Sequence, residues 1–251
     1  MPSLRENPHV PHSPLRAYYS GEEDRREWVR SLFDRTAADY ERMERLMALG
    51  SGSWYRRRAL QRAGLQSGMS VVDVGVGTGL VAREAAGIVG DNELVLGVDP
   101  SPGMIANAKV PAGVRLAAGA AESIPAADGS ADFISMGYAL RHVSDLPTAF
   151  REFRRVLKPG GRLCLLEITS PRRGFPRALL KAYMRGVVPI LARVVARDRS
   201  VPELMRYYWD TIEACIPPAS ILDELVAAGF VHVVRYVEHG VFSEYRAGKP
   251  L

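Results

Sequence analysis

Three glycines stand at alternate positions directly after the first β-rich run of the chain. Residues 70–74 form that run, and Gly75, Gly77 and Gly79 follow it, ahead of a helical stretch at 80–89. Glycine lets a backbone approach a ligand closely where side chains would collide. The spacing lacks the G-x-G-x-x-G dinucleotide fingerprint and the Gly-Lys-Ser/Thr ending of a phosphate-binding loop. The turn therefore indicates a ligand site and speaks against those two phosphate-binding classes.

An acidic residue ends the next β-rich run. Asp99 follows the apolar run 94–98, twenty positions after Gly79. A carboxylate at the end of this strand can accept hydrogen bonds from both ribose hydroxyls of a nucleoside. The alternative is that Asp99 caps a helix that begins near Ser101 and Pro102. Taken with the glycine turn, Asp99 favours an adenosine-containing ligand.

β-rich and helical runs alternate through the middle of the chain. The predicted strands cover 70–74, 94–98, 114–117, 132–136 and 162–168, with helices that include 80–89 and 148–157. Strands that alternate with helices form βαβ units in a parallel sheet. Residues 158–161 are predicted to be a turn before the last of these strands. After a helix at 220–228, strands at 231–237 and 241–245 are expected to form a hairpin.

Helical segments flank this alternating core. Apolar side chains recur at helical spacing over 22–64, whereas 1–21 are expected to form a loose, flexible arm. Helices are also predicted at about 177–196 and 202–215, with Pro189 bending the first. The chain is therefore predicted to be a single α/β domain over 22–251. Its parts are an N-terminal helical cover at 22–65, a cofactor-binding core at 66–168, an inserted helical lid at 169–218, and a C-terminal helix and hairpin at 219–251.

Composition predicts a cytoplasmic protein without a metal centre. Hydrophobic residues make up 47% of the 251 and charged residues 24%, as in ordinary globular proteins. No apolar run approaches the roughly 18 residues that span a bilayer, and residues 1–14 lack the apolar stretch of a secretory signal. Cys164 and Cys215 have no C-x-x-C partner. This argues against a disulfide framework or a zinc site and fits a reducing compartment.

Positive charge is concentrated in the predicted lid. Its basic residues, opposed only by Asp198, are Arg172, Arg173, Arg177, Lys181, Arg185, Arg193, Arg197 and Arg199, and a second cluster comprises Arg56, Arg57, Arg58 and Arg62. Such surfaces attract phosphates, nucleic acid or anionic lipid, but they are also ordinary solvated helix faces. The same lid has more apolar residues than one buried face requires, from Phe175 to Leu191. They predict a hydrophobic tunnel or membrane-surface contact, or else packing on the domain or a second subunit.

Several of these motifs together resemble a known family. The motif at 73–79, Asp99, the segment 119–125 and the run 155–162 are similar to class I S-adenosylmethionine-dependent methyltransferases. Segments 32–40, 47–50, 139–143 and 166–168 narrow the resemblance to the ubiquinone/menaquinone C-methyltransferase family, over about 28–248. The resemblance implies a Rossmann-like, seven-stranded, mostly parallel sheet with an antiparallel C-terminal hairpin. S-adenosylmethionine would lie across the carboxyl ends of its strands.

The resemblance also implies a cofactor site. Asp73 and the three glycines would flank the methionine part, Asp99 would bind the ribose, and Met104 would lie against the adenine or in the core. Many relatives have an acid where this chain has Ala120, so adenine contact would come from the backbone of Ala121 beside Glu122.

Three residues are candidates for catalysis. The family's tyrosine at the position of Tyr40 faces the cofactor, although Tyr40 can equally pack in a half-buried cover. An Arg-Asn pair of the family is Arg141-His142 here, at the place expected for the acceptor. Arg141 is expected to stabilise a phenolate, because arginine keeps its charge. His142 is either the base or a structural residue.

The expected function is methylation of a small hydrophobic aromatic acceptor, first of all C-methylation of a prenylated quinol. C-, N- or O-methylation of a secondary metabolite is the alternative, and a non-catalytic S-adenosylmethionine-binding regulator is a third. A nucleic-acid methyltransferase is disfavoured, because no Asn/Asp-Pro-Pro-Tyr-type motif follows the fourth strand. The expected partners are a lipophilic acceptor and, through 172–199, the inner membrane surface or a second copy of the chain, with no nucleic acid.

Overall fold

A seven-stranded sheet forms the centre of the protein. The computed structural model describes residues 10–48, 50–170 and 175–251. The strands are β1 Val71–Val74, β2 Val95–Asp99, β3 Arg115–Ala118, β4 Ala131–Gly137, β5 Leu157–Ile168, β6 Val231–Glu238 and β7 Phe242–Gly248. Their order is β3-β2-β1-β4-β5-β7-β6, and only β7 runs antiparallel to its neighbours β5 and β6. The predicted α/β fold, with its parallel strands and terminal hairpin, is confirmed.

Helices cover both faces of this sheet and one end of it. They are α1 Glu22–Ala48, α2 Gly52–Arg62, α3 Leu80–Val89, α4 Pro102–Ala106, α5 Leu146–Val156, α6 Phe175–Ala182, α7 Val188–Val195, α8 Val201–Ala214 and α9 Pro218–Ala227. One face of the sheet packs against α5 and α9, and the other packs against α2 and α3. Every residue of β1 is buried, as expected for a central parallel strand.

The cover and the lid share a third core. Leu32 and Met43 of α1 are buried in one cluster with Val188 of α7 and with Leu204 and Trp209 of α8. The lid is thus joined to the N-terminal helix by apolar packing. This packing encloses the carboxyl edge of the sheet, where β1 lies between β2 and β4 and the chain order reverses. Open α/β sheets bind ligands at such a switch point.

Two predictions about the elements need correction. Residues 10–21 are not a loose arm, because His12 and Tyr19 are buried and the N–H of Ile216 donates to the carbonyl of Pro11 at 2.8 Å. The helical pattern predicted over 22–64 is confirmed and consists of two helices, with Gly50 between them at a φ of 80°. The predicted turn at 158–161 lies inside β5, where it forms an irregularity between the Ala131 and Phe133 pairings.

The bend predicted in the lid takes a specific form. Tyr183–Val187 makes a π-helical turn between α6 and α7, directly before Pro189. Proline has no N–H to donate and its ring crowds the preceding turn, which is why the hydrogen-bond ladder widens there. Residues 1–9 of the predicted arm and 171–174 of the lid, including Arg172 and Arg173, lie outside the described residues. Within the described part of the chain, no helix is long and apolar enough to cross a membrane.

Candidate active site

A cavity of about 600 Å³ lies between the carboxyl edge of the sheet and the helices of the cover and lid. This volume is in the range of small-molecule sites. The ends of β1, β2 and β4 contribute Gly75, Asp99 and Gly137 to its lining, and α1 and α8 contribute Tyr40 and Tyr208. Residues predicted from separate motifs therefore meet in one site.

Of the three glycines in the turn after β1, one lines the cavity. Gly75 lines the cavity with a φ of 68°, and a Cβ there would lie 2.7 Å from the Cβ of Ala139. Gly77 and Gly79 lie outside the lining. Gly77 donates its N–H to Asp99 Oδ2 at 2.8 Å, and Gly79 precedes α3 with a φ of 91°. Of the three glycines, the first lines the cavity and the other two shape the turn.

Asp99 is held in place by the backbone. Its Oδ1 accepts from the N–H of Ser101 at 2.9 Å, and its Oδ2 accepts from Gly77. Burial raises the pKa of Asp99 to about 6, against the effect of these two bonds. The helix cap is Ser101, whose Oγ accepts from the N–H of Met104 at 3.0 Å. Asp99 therefore presents an acceptor to the cavity and leaves the capping of α4 to its neighbour.

Asp73 supports the site from inside the sheet. Its carboxylate is buried on β1, and Oδ1 accepts a 2.7 Å bond from the hydroxyl of Ser135 on β4. Burial raises the pKa of Asp73 to about 7. Asp73 lies outside the cavity lining, so its contact with a ligand is not direct.

The end of the cavity expected to take adenine is mainly apolar. Met104 is buried and also lines the cavity, so its position is compatible with either alternative for this residue. Ala120 and Ala121 lie beside it in the lining. Glu122 Oε1 accepts from the N–H groups of Ser144 and Asp145 at 2.8 and 3.2 Å. Its carboxylate ties this loop to the start of α5.

The opposite end has an aromatic wall. Tyr40 of α1 and Tyr208 of α8 share a hydrogen bond between their hydroxyls, and both line the cavity. Phe33 packs edge-on against the ring of His142 at 5.2 Å between centroids. Burial raises the pKa of both tyrosines, so both carry a proton near neutral pH. The sequence analysis missed Tyr208 and Phe33; the aromatic run 207–209 was the available signal for the former.

Arg141 lies behind this wall. Its side chain is fully buried and lies outside the cavity lining. Nη1 donates to Glu167 Oε2 at 2.7 Å, and Nε donates to the Thr211 hydroxyl at 3.2 Å. Its guanidinium carbon lies 4.5 Å from the centre of the Tyr208 ring. A positive charge therefore lies on the far side of a ring that faces the cavity.

His142 is the member of the Arg141-His142 pair that reaches the cavity. Nδ1 lies 3.3 Å from the Tyr207 hydroxyl, and Nε2 has no hydrogen-bond partner among the described residues. Burial, together with the charges of Arg141 and Arg25, lowers the pKa of His142 well below its ordinary value. The imidazole is therefore neutral at physiological pH, and its ring lines the cavity while its Nε2 atom is buried.

These features fit S-adenosylmethionine. A fixed carboxylate faces the place for a ribose, a glycine stands where a Cβ would clash, and apolar side chains lie where adenine would pack. Among the described residues there is no group of three or more His, Cys, Asp or Glu side chains that could hold a metal ion.

The sequence matches the ubiE/COQ5 methyltransferase family over residues 20–247. It is 32% identical to the demethylmenaquinone methyltransferase of Lactococcus lactis subsp. lactis over 222 residues, which cover 85% of this chain and 86% of the relative. It is 34% identical to the ubiquinone/menaquinone biosynthesis C-methyltransferase UbiE of Rubrivivax gelatinosus over 214 residues, covering 84% and 82%.

Solved structures of the same fold include a SAM-dependent methyltransferase, possibly a histamine N-methyltransferase, from Thermotoga maritima. It has a TM-score of 0.59 at 22% identity and covers 87% of this chain and 98% of its own. Phosphoethanolamine N-methyltransferase 2 of Haemonchus contortus, solved with S-adenosyl-L-methionine, has a TM-score of 0.57 at 18% identity, covering 79% and 53%. At these identities the likeness shows the fold alone.

Proposed function

We propose that this chain, which belongs to the ubiE/COQ5 methyltransferase family, methylates a ring carbon of a small lipophilic aromatic acceptor, with a prenylated quinol as the first candidate. That it is an S-adenosylmethionine-dependent methyltransferase follows from the family. The acceptor is the proposed part. Its main support is the aromatic wall of Phe33, Tyr40, His142 and Tyr208, which suits a flat ring with a hydroxyl group. The names of the relatives point to the same acceptor class.

When bound, S-adenosylmethionine supplies an electrophilic methyl group on a sulfonium. The donor is already activated, so the protein has to orient the two reactants and exclude water. Asp99, which the N–H groups of Gly77 and Ser101 hold in place, would accept hydrogen bonds from the ribose, and the backbone at Gly75 would hold the methionine part. The aromatic wall would hold the acceptor in the same cavity.

The acceptor carbon has to be made nucleophilic by the residues of that wall. A quinol ring carbon becomes a nucleophile when the neighbouring hydroxyl loses its proton. The paired hydroxyls of Tyr40 and Tyr208 can donate a hydrogen bond to the phenolate that results. Arg141 would act through the ring of Tyr208, whose other side it contacts, and Glu167 fixes its orientation. Arg141 is thus a positioning and electrostatic residue in this proposal.

His142 has a narrower role than a general base. A base is most effective when its pKa lies near the working pH, and burial lowers the pKa of His142 far below that. Its neutral ring packs against Phe33 and Tyr207 and lines the cavity, so it can form part of the surface on which the acceptor ring lies. The hydroxyl proton would pass to solvent before the two bound reactants exclude water. After the new C–C bond forms and the neutral thioether departs, the hydrogen of the methylated ring carbon would leave as a proton, which restores the aromatic ring.

The test is methyl transfer from labelled S-adenosylmethionine to a panel of acceptors. The panel contains reduced demethylated naphthoquinols and benzoquinols with short prenyl tails, their tail-free analogues, and phenols and amines of similar size. We expect label on a ring carbon of a prenylated quinol, located by mass spectrometry and NMR. Label on oxygen or nitrogen of other acceptors, or no transfer to quinols by protein that still binds S-adenosylmethionine, would refute the proposed acceptor.

Tyr208→Phe tests the role of the wall. It removes one hydroxyl and keeps the ring on Arg141, so kcat should fall at least tenfold while the S-adenosylmethionine Kd changes less than twofold. Tyr236→Phe is the matched control, because Tyr236 is 40% exposed on β6. Equal effects of the two substitutions would remove Tyr208 from the mechanism.

A further inference from the structure

The lid contains a long segment without negative charge. Between Glu167 and Asp198 the sequence has no acidic residue. Eight of the eleven residues at 185–195, which cover the end of the π turn and α7, are Val, Ile, Leu, Ala or Pro. The described part of this segment comprises α6, the π turn and α7. A partner of this surface must therefore tolerate both apolar and cationic groups.

The segment has apolar side chains on both of its sides. Met184, Val188 and Ala192 are buried in the shared core of cover and lid. The exposed side carries further large apolar residues, namely Leu179, Val187, Ile190 and Val194, with exposed fractions of 59%, 46%, 60% and 80%. We call these four residues, with Arg193 and Arg197, the outer lid surface. A helix on a globular protein normally turns polar side chains to water, so this surface lacks its partner.

The cations between Arg177 and Arg197 fall into two groups. Arg177 and Lys181 pair with Glu213, and Arg185 pairs with Asp210, so these three are held by α8. Arg193 and Arg197 are exposed, and neither forms an ion pair with a carboxylate of the described side chains. The charge available to a partner is therefore positive and stands beside Ile190 and Val194.

We infer that the outer lid surface docks on an anionic lipid bilayer. Ile190 and Val194 enter the boundary between headgroups and acyl chains, and Arg193 and Arg197 meet lipid phosphates. Nucleic acid would satisfy the arginines but would leave the apolar side chains in water. A symmetric contact with a second copy would oppose the arginines with one another across a segment that has no acidic residue.

Docking at this surface places the bilayer next to the cavity wall. α7 packs on α8, and α8 carries Tyr208 in the cavity lining. A lipophilic acceptor would then have only one helix to pass between bilayer and cavity. The docking itself rests on exposure and charge and does not depend on the proposed acceptor.

The experiment is flotation of the full chain with vesicles of phosphatidylcholine, with and without phosphatidylglycerol, at low and high salt. We expect binding to the anionic vesicles that weakens as salt is raised. Arg193→Gln and Arg197→Gln should each lower the partition coefficient about fivefold, and Ile190→Glu with Val194→Glu should lower it at least tenfold. Matched controls are Arg151→Gln on α5 and Val226→Glu on α9, where Val226 is 59% exposed.

Each substituted side chain is exposed, so the variants should fold and bind S-adenosylmethionine like the parent, which circular dichroism and titration would check. Absence of binding to anionic vesicles overturns the inference, as does an equal loss with the controls. Binding that Ile190→Glu and Val194→Glu leave unchanged overturns the insertion. A dimer that these two substitutions convert to a monomer, without vesicle binding by the parent, reassigns the surface to subunit contact. No acceptor is present, so failure here is distinct from failure of the proposed methylation.

Discussion

Asp99→Asn is expected to weaken S-adenosylmethionine binding about 150-fold. The carboxylate already accepts one backbone hydrogen bond on each oxygen, and each oxygen has a further lone pair for a ribose hydroxyl. Hydrogen bonds to a charged group contribute about 1.5 kcal/mol or more each, so two of them amount to about 3 kcal/mol, or roughly 150-fold in Kd. The amide also turns an N–H₂ group toward the N–H of Gly77 or Ser101, which leaves a donor without an acceptor.

The pH dependence of S-adenosylmethionine affinity separates the effect of the Asp99 charge from the effect of its shape. Its pKa is raised to about 6 by burial, so protons compete with the ligand as pH falls below that value. At pH 5 a carboxyl of this pKa is mostly protonated, and affinity should be about tenfold weaker than at pH 7. The variant lacks this titration, so the difference between wild type and variant should shrink by the same factor. The α-carboxyl group of the ligand titrates well below pH 5, so it stays ionised across this window.

Isothermal titration calorimetry at pH 7 and pH 5 measures both effects. Asp132→Asn is the control, because Asp132 pairs with Lys158 at 2.8 Å and lies outside the cavity lining. It should leave the Kd unchanged at both pH values. A Kd for Asp99→Asn within threefold of wild type at pH 7 would refute the assignment of Asp99 to the ribose. An unchanged pH dependence would refute the titration argument alone.

Three further predictions concern the supports of the site. Arg141→Ala leaves the buried Glu167 carboxylate without its cation, so urea denaturation should give a free energy of unfolding lower by about 3–5 kcal/mol, and a loss below 1 kcal/mol would contradict the pairing. Gly75→Ala places a Cβ 2.7 Å from that of Ala139 at a φ of 68°, so the S-adenosylmethionine Kd should rise at least tenfold, whereas Gly186→Ala, with open space around it, should not change it. The pKa of His12 is lowered from 6.5 to about 4, chiefly by burial, so below pH 6.5 the unfolded chain binds a proton that the folded chain refuses. Its contribution to stability is present above pH 6.5 and is lost toward pH 4; His12→Asn should flatten that loss in denaturation curves, and an unchanged slope would argue against the buried position.

The meeting of the strand ends could be predicted, because strands that alternate with helices along the chain build a parallel sheet. Parallel strands bring their carboxyl ends to one edge, so Gly75 after β1 and Asp99 at the end of β2 had to lie close together. The sequence predicts a turn at the interruption of β5, because Gly160 and its neighbours are turn formers. In the structure the strand resumes its pairing with β4 after that interruption, which only the neighbouring strand decides.

The sequence could not predict the direction in which individual side chains of the lid and of the turns point. Arg141 and His142 are adjacent in a 3-10 turn, so one points to Glu167 in the interior and the other to the cavity. The same holds on α8, where successive side chains are separated by about 100° and only packing selects Tyr208 for the cavity. Types and spacing found the Arg141-His142 pair but not the pair on α8, and they left open which member of the first pair faces the cavity.

The helix α8 links the two proposals through residues on its different sides. Tyr208 faces the cavity, Thr211 supports Arg141, and Asp210 and Glu213 hold the cations of the lid. A change in how the lid packs must therefore move the aromatic wall, whereas Asp99 and Gly75 stand on strand ends that the lid does not carry. We accordingly expect substitutions on the inner side of the lid to alter acceptor choice and turnover while cofactor affinity stays constant. In these proposals cofactor binding depends on the strand ends of the sheet, and acceptor binding depends on the helices packed over them.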